Sequence, residues 1–333
     1  MTTFLSKPLL AAVVLAATSL CMQPAGAASP AYGSLYVFGD SLSDSGNNAA
    51  TLGTKPNQVI SGNSYIPTFP YASGDYSNGP VWVSAFAAGL GLPSYATASL
   101  AGGGDYAYGG ALTTIDGNGG KIKFPPSATT QLDMYLTGKT TLPSDALYVI
   151  AIGGNDAFDT SAAIVAGAPE DSTIASAAAA YAAGVGAMVA TLESKGADHI
   201  IVWNTPDIGL TPSAAAAGVG ALDTKIASAF NAALGTTLAG NSAVSTFDIY
   251  GLLDRSVANP AAYGFSNVTD ACGALGAACD PSSYLFWDGI HPTSGGHAII
   301  ADGMLAVAAV PEPATAALLA GGLALLACAR RRA

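Results

Sequence analysis

With 333 residues, 50% hydrophobic and only 10% charged, the chain can bury one large core, and 22 acidic against 11 basic side chains give it a formal net charge of −11. Such a surface repels phosphate backbones, which excludes nucleic acid as a partner. The abundance of alanine and glycine inflates the hydropathy, so that index is no sign of a membrane-spanning protein.

In chain order, Lys7, an apolar run from Pro8 to Leu20 and Ala25-Gly26-Ala27 predict a secretory leader over residues 1–27, cut after Ala27. Leu20 is too large a neighbour for Cys21 to be a lipidation site. Leu35 to Phe38 predicts a buried strand that stops at Gly39 in a cluster of Asp, Ser, Gly and Asn. Ser41 therefore stands just beyond a strand end, where open α/β sheets bind their ligands. The plain alternative makes Ser41 or Ser43 the N-cap of an ensuing helix. No Gly-x-Ser-x-Gly elbow surrounds Ser41, which disfavours an ordinary α/β-hydrolase. Leu52 to Tyr76, rich in Pro, Gly, Asn, Ser and Tyr, reads as one long loop. Trp82, Phe86 and Leu90 recur at helical spacing, with Trp82 expected in the core.

Further along, Ala146 to Ile152 predicts a buried strand, with Gly153-Gly154-Asn155-Asp156 at its carboxyl end. Ser172 to Leu192 predicts a packing helix. Ile200 to Trp203 predicts a strand that His199 begins, which makes His199 structural. Ser213 to Leu238 predicts one helix, and Val244 to Ile249 another strand. Strands alternating with helices argue for a parallel sheet covered on both faces, in a single domain over residues 28–309. Within that domain Cys272 and Cys279 are the only cysteines. In an oxidising compartment they pair most simply as a disulfide; the alternative, a metal pair, has no histidine beside it.

The stretch Gly39-Asp40-Ser41-Leu42-Ser43-Asp44-Ser45-Gly46-Asn47 resembles the first signature block of the GDSL lipases and esterases, within the SGNH hydrolases. Three later stretches fit the same family in order: Asp105 to Ala111, with Asp105 where asparagine is frequent, Gly153 to Asp156, and Asp288-Gly289-Ile290-His291. Thr205 to Pro212 resembles the family's stretch near its crevice. The resemblance implies a flavodoxin-like three-layer α/β/α fold with a mostly parallel central sheet. It also implies ester hydrolysis through an acyl-serine, with Ser41 as nucleophile, His291 as base and Asp288 fixing its tautomer. The oxyanion hole would comprise the backbone N–H of Ser41, that of Gly110 or its neighbour Gly109, and the side chain of Asn155. Asp156 would brace its loop, and His297 is read as a packing residue. No metal or organic cofactor is implied.

Val310-Pro311-Glu312-Pro313, the apolar run Ala314 to Ala329 and Arg330 to Arg332 resemble a PEP-CTERM sorting signal of Gram-negative bacteria. That resemblance implies an exported protein at the cell surface or outside it. Its partners are a signal peptidase, an exosortase-like transpeptidase and a transient or retained membrane anchor. The expected substrate is a small-molecule or lipid ester. The alternatives are acyl transfer by the same acyl-enzyme, sugar O-acetyl ester hydrolysis, and a non-catalytic surface adhesin.

Overall fold

The computed structural model describes residues 32–117 and 123–308; the leader and the segment from Val310 lie outside the described residues. The elements, in order, are β1 (Ser34–Gly39), α1 (Asn47–Leu52), α2 (Trp82–Gly89), α3 (Ala128–Leu136), β2 (Ala146–Ala151), α4 (Gly154–Val165), α5 (Glu170–Ser194) and β3 (His199–Trp203). They continue with α6 (Pro212–Ala217), α7 (Gly220–Thr237), β4 (Val244–Phe247), α8 (Ile249–Ala258), β5 (Asn267–Ala271), β6 (Tyr284–Phe286) and α9 (Ser294–Ala308).

The strands β1 to β4 form a parallel sheet in that order, with Val37 opposite Val149, Val149 opposite Ile201, and Ile201 opposite Ser245. Successive side chains on a strand point to opposite faces, so a strand buried on both sides must be apolar throughout. Accordingly Leu35, Val37, Leu147, Val149, Ile201 and Trp203 pack on α2, α8 and α9, whereas Phe38, Tyr148, Ile150, Ile200 and Val202 pack on α3, α5 and α7. The result is the three-layer α/β/α arrangement. Helix α5 is alanine-rich because α7 lies close against it, with Tyr181 stacked on Phe230 at 5.0 Å between ring centroids.

A further segment runs along the free edge of β1. Val37 N–H donates to Gly104 O (3.0 Å), Tyr106 N–H to Val37 O (2.8 Å) and Tyr108 N–H to Gly39 O (3.2 Å). Counted as a short strand, it gives the flavodoxin-like order, second segment outside the first, and puts the topological switch point between β1 and β2. Ser41 and Asn155 follow the carboxyl ends of these two strands.

The structure corrects the single helix expected over Ser213 to Leu238. Gly218 adopts a left-handed conformation (φ 71°) and caps α6 by donating to Ala214 O and Ala215 O, so α7 starts afresh at Gly220. Asn155 follows the carboxyl end of β2, as expected, and lies in the first turn of α4. The strands β5 and β6 pair in a separate two-stranded sheet, and Cys272 is disulfide-bonded to Cys279 just after β5.

Candidate active site

Strand β1 stops where side chains no longer fit. A Cβ on Gly39 would lie 2.6 Å from Ala151 O, and Gln131 of α3 binds both the N–H and the carbonyl of Gly39 at 2.9 Å. The chain then turns tightly, as Ser43 and Asp44 both donate their N–H to Asp40 O (3.0 and 2.9 Å). Ser41 sits on this turn with its Oγ 2.8 Å from His291 Nε2. His291 Nδ1 is 2.8 Å from Asp288 Oδ2, which orients the ring with Nδ1–H toward the carboxylate and Nε2 toward the serine. Asp288 Oδ1 accepts the backbone N–H of Ile290 (2.9 Å) and of His291 (2.8 Å), and Oδ2 also accepts the Tyr71 hydroxyl (2.7 Å). All three members of the chain are buried. Tyr76 covers His291 from the side, its ring centroid 5.4 Å from that of the imidazole.

The two candidate glycines differ. Gly109 N–H donates to Asp44 Oδ2 (2.9 Å), and a Cβ there would strike the Tyr76 ring. Gly110, at φ 82°, donates its N–H to no acceptor among the described residues, and the same holds for Ser41. On the other side of Gly110, Ala111 O accepts from Asn155 Nδ2 (3.0 Å). Gly110 is thus bracketed by one neighbour tied to the serine turn and another tied to Asn155. An amide carries two N–H bonds, so Asn155 retains a second donor. Asp156 braces the loop as expected: its carboxylate accepts the N–H of Thr113 (3.1 Å) and the Thr113 hydroxyl (2.9 Å).

Beside Ser41, His291 and Asn155 opens a cleft walled mainly by Ile208, Ile249, Leu252, Phe286, Ile299 and Ile300. Its apolar lining with a few convergent polar groups is that of a small-molecule site. Asp40 shares the wall, and burial pushes its carboxyl up to about 7, against the partial counter-pull of the Leu42 N–H and of His291. Burial, reinforced by His291, pushes His297 down to about 3, which keeps it neutral in the core; it makes no hydrogen bond to Ser41. His199 packs edge-on against Tyr32 at the opposite end of β3. Trp82 is fully buried and donates its indole N–H to Ser43 Oγ (3.1 Å).

Sequence reasoning missed three residues of this site. Asp44 lies within the first signature block but shows its role only once Gly109 is beside it. Tyr71 and Tyr76 lie in a loop with no periodicity, so no signal in the sequence tied them to Asp288 and His291.

The family model for GDSL-like Lipase/Acylhydrolase matches residues 35–304. Esterase EstA of Pseudomonas aeruginosa is 32% identical over a match covering 89% of this chain and 49% of the relative. A GDSL esterase/lipase of Arabidopsis thaliana is 27% identical over 87% of this chain and 94% of its own. The phosphatidylcholine-sterol acyltransferase of Aeromonas hydrophila is 27% identical over 73% and 66%, respectively. The chain spans about half the length of the first of these relatives. The match over nearly all the described residues, on a flavodoxin-like sheet with the signature serine at its switch point, means that this chain belongs to the GDSL-like lipase/acylhydrolase family.

Proposed function

We propose that the protein is a serine carboxylester hydrolase. The observation that carries this reading is the buried hydrogen-bonded chain Ser41–His291–Asp288 at the mouth of an apolar cleft. His291 Nε2 takes the proton of Ser41 Oγ as that oxygen attacks the ester carbonyl, and Asp288 stabilises the imidazolium that forms. The negative oxygen of the tetrahedral intermediate receives the N–H groups of Ser41 and Gly110 and the second amide hydrogen of Asn155. The intermediate collapses to the acyl-serine as His291 returns its proton to the leaving alkoxide. Water then attacks the acyl-serine with His291 again as base, releasing the acid and free Ser41.

The cleft favours an ester with an aliphatic acyl or alkyl group, because an acetyl group would leave most of its apolar wall in contact with water. Hydrolysis of a p-nitrophenyl ester series from acetate to palmitate by the purified chain tests both points. A chain length beyond acetate should be preferred, and Ser41→Ala should lower kcat by about 1,000-fold or more. A Ser41→Ala variant with near-normal turnover would sink the proposal, and a strict acetate preference would redirect it to sugar acetates. Acyl transfer to an alcohol is a second reading, prompted by the similarity to a sterol acyltransferase; product analysis with a sterol or sugar acceptor separates it from hydrolysis. Export is proposed from the leader and from Val310 to Arg332, and mass spectrometry of the mature termini tests it.

A further inference from the structure

We propose that Tyr71 is a positioning residue for the Asp288–His291 pair, acting through the hydrogen bond from its hydroxyl to Asp288. This inference rests on the serine hydrolase reading. Asp288 is fully buried and receives four hydrogen bonds: two backbone N–H on Oδ1, and His291 Nδ1–H and the Tyr71 hydroxyl on Oδ2. The two side-chain donors therefore share one oxygen. Its lone pairs are then occupied in a fixed geometry, and the strength of the bond to His291 depends on how much of the oxygen's charge Tyr71 draws.

Tyr71 is held for this task. Its N–H donates to Asp75 O (2.9 Å), its carbonyl accepts from Gly74 (3.0 Å), and its ring packs among Ile60, Ala271 and Trp287. The same loop is fastened to the catalytic segment by Gly289 N–H donating to Tyr65 O (2.8 Å), and to β5 by Ala271 N–H donating to Asn63 Oδ1 (2.9 Å). Burial and the adjacent charge of Asp288 push the Tyr71 hydroxyl well above the usual phenol range, so it stays a donor at every working pH. Tyr71 does not line the cleft, which separates it from the residues that touch substrate.

The other titratable groups facing the pair are Tyr65 and Tyr76 from the same loop, Asp40 beyond β1 and His297 on α9. Tyr71→Phe removes only an oxygen atom and leaves all of these in place. With one donor gone, Oδ2 binds Nδ1–H more tightly. The downfield proton resonance of His291 Nδ1–H should then move further downfield, and the acid limb of the kcat/KM profile should shift to higher pH because the carboxylate favours the imidazolium more strongly, with KM nearly unchanged. Assignment is tractable because the chain has only three histidines. A resonance and an acid limb both identical to those of the unmutated protein would overturn the inference, as would a loss confined to KM. If the unmutated protein hydrolyses no ester, the hydrolase reading fails by itself, and the proton resonance still decides whether Tyr71 controls the Asp288–His291 bond.

Discussion

Asp44 links the candidate trio to the glycine pair from outside both. One carboxylate oxygen accepts from Gly46 and Asn47 (3.0 and 2.7 Å), and the other accepts from Gly109 (2.9 Å), so a single buried side chain ties the serine turn to the glycine pair. Asp44→Asn substitutes an amide N–H for one of these acceptors and sets donor against donor. The expected result is a loss of about 1–3 kcal/mol of stability in chemical denaturation. A kcat lower by about 10–100-fold should accompany it as Gly110 loses its place. Unchanged kcat in a folded variant would remove Gly110 from the oxyanion hole. The sequence contains Asp44 in plain view, but a carboxylate's acceptor role depends on which N–H groups surround it, and one of these is 65 residues away.

At the scale of elements, the junction of β2 and α4 is tightly packed. Gly153 has φ 125°, and a Cβ there would lie 2.7 Å from both Thr205 Oγ1 and the Tyr181 ring. An alanine at this position meets two penalties at once, a backbone conformation that L-residues avoid and a collision in the core. Gly153→Ala should cost about 2 kcal/mol or more in a denaturant titration and should misplace Asn155, two residues on. A variant as stable as the parent would show that the junction relaxes freely. The four strands of the parallel sheet were legible because buried apolar runs bounded by turn residues have few other readings, whereas the partly polar β5 and the short β6 were not. Helices α3, α4 and α8 were not, because each opens within a loop-like composition and is stabilised chiefly by what it packs against.

For the whole molecule, burial of carboxylates sets the response to pH. Asp40 and Asp75 are pushed up to about 7, and Asp44 and Asp156 to about 6, in each case mainly by loss of water. The folded chain therefore takes up protons more readily than the unfolded chain between about pH 4 and 7, and stability declines as pH rises through that window. The net charge of −11 adds self-repulsion in the same direction. More exposed carboxylates such as Asp116, Asp248 and Asp270 are held below their usual range and act in the opposite sense only at lower pH. Thermal unfolding should therefore show a Tm about 5 °C or more higher at pH 5 than at pH 8. A Tm that rises steadily from pH 5 to 8 would contradict this assignment.

What the sequence by itself determined is the part written locally. Apolar strands alternating with helices give the sheet, and the ordered blocks at Ser41, Asn155 and His291 give the family and the candidate trio. Tertiary structure alone decided the rest: that Gly109 is occupied by Asp44 and Gly110 is not, that Gly218 divides α6 from α7, and that Tyr71 reaches Asp288. The physical reason is range. Strand and helix patterns arise from neighbours along the chain, whereas a hydrogen bond such as that from Tyr71 to Asp288 joins residues 217 positions apart and exists only once a loop without periodicity has packed against the catalytic segment.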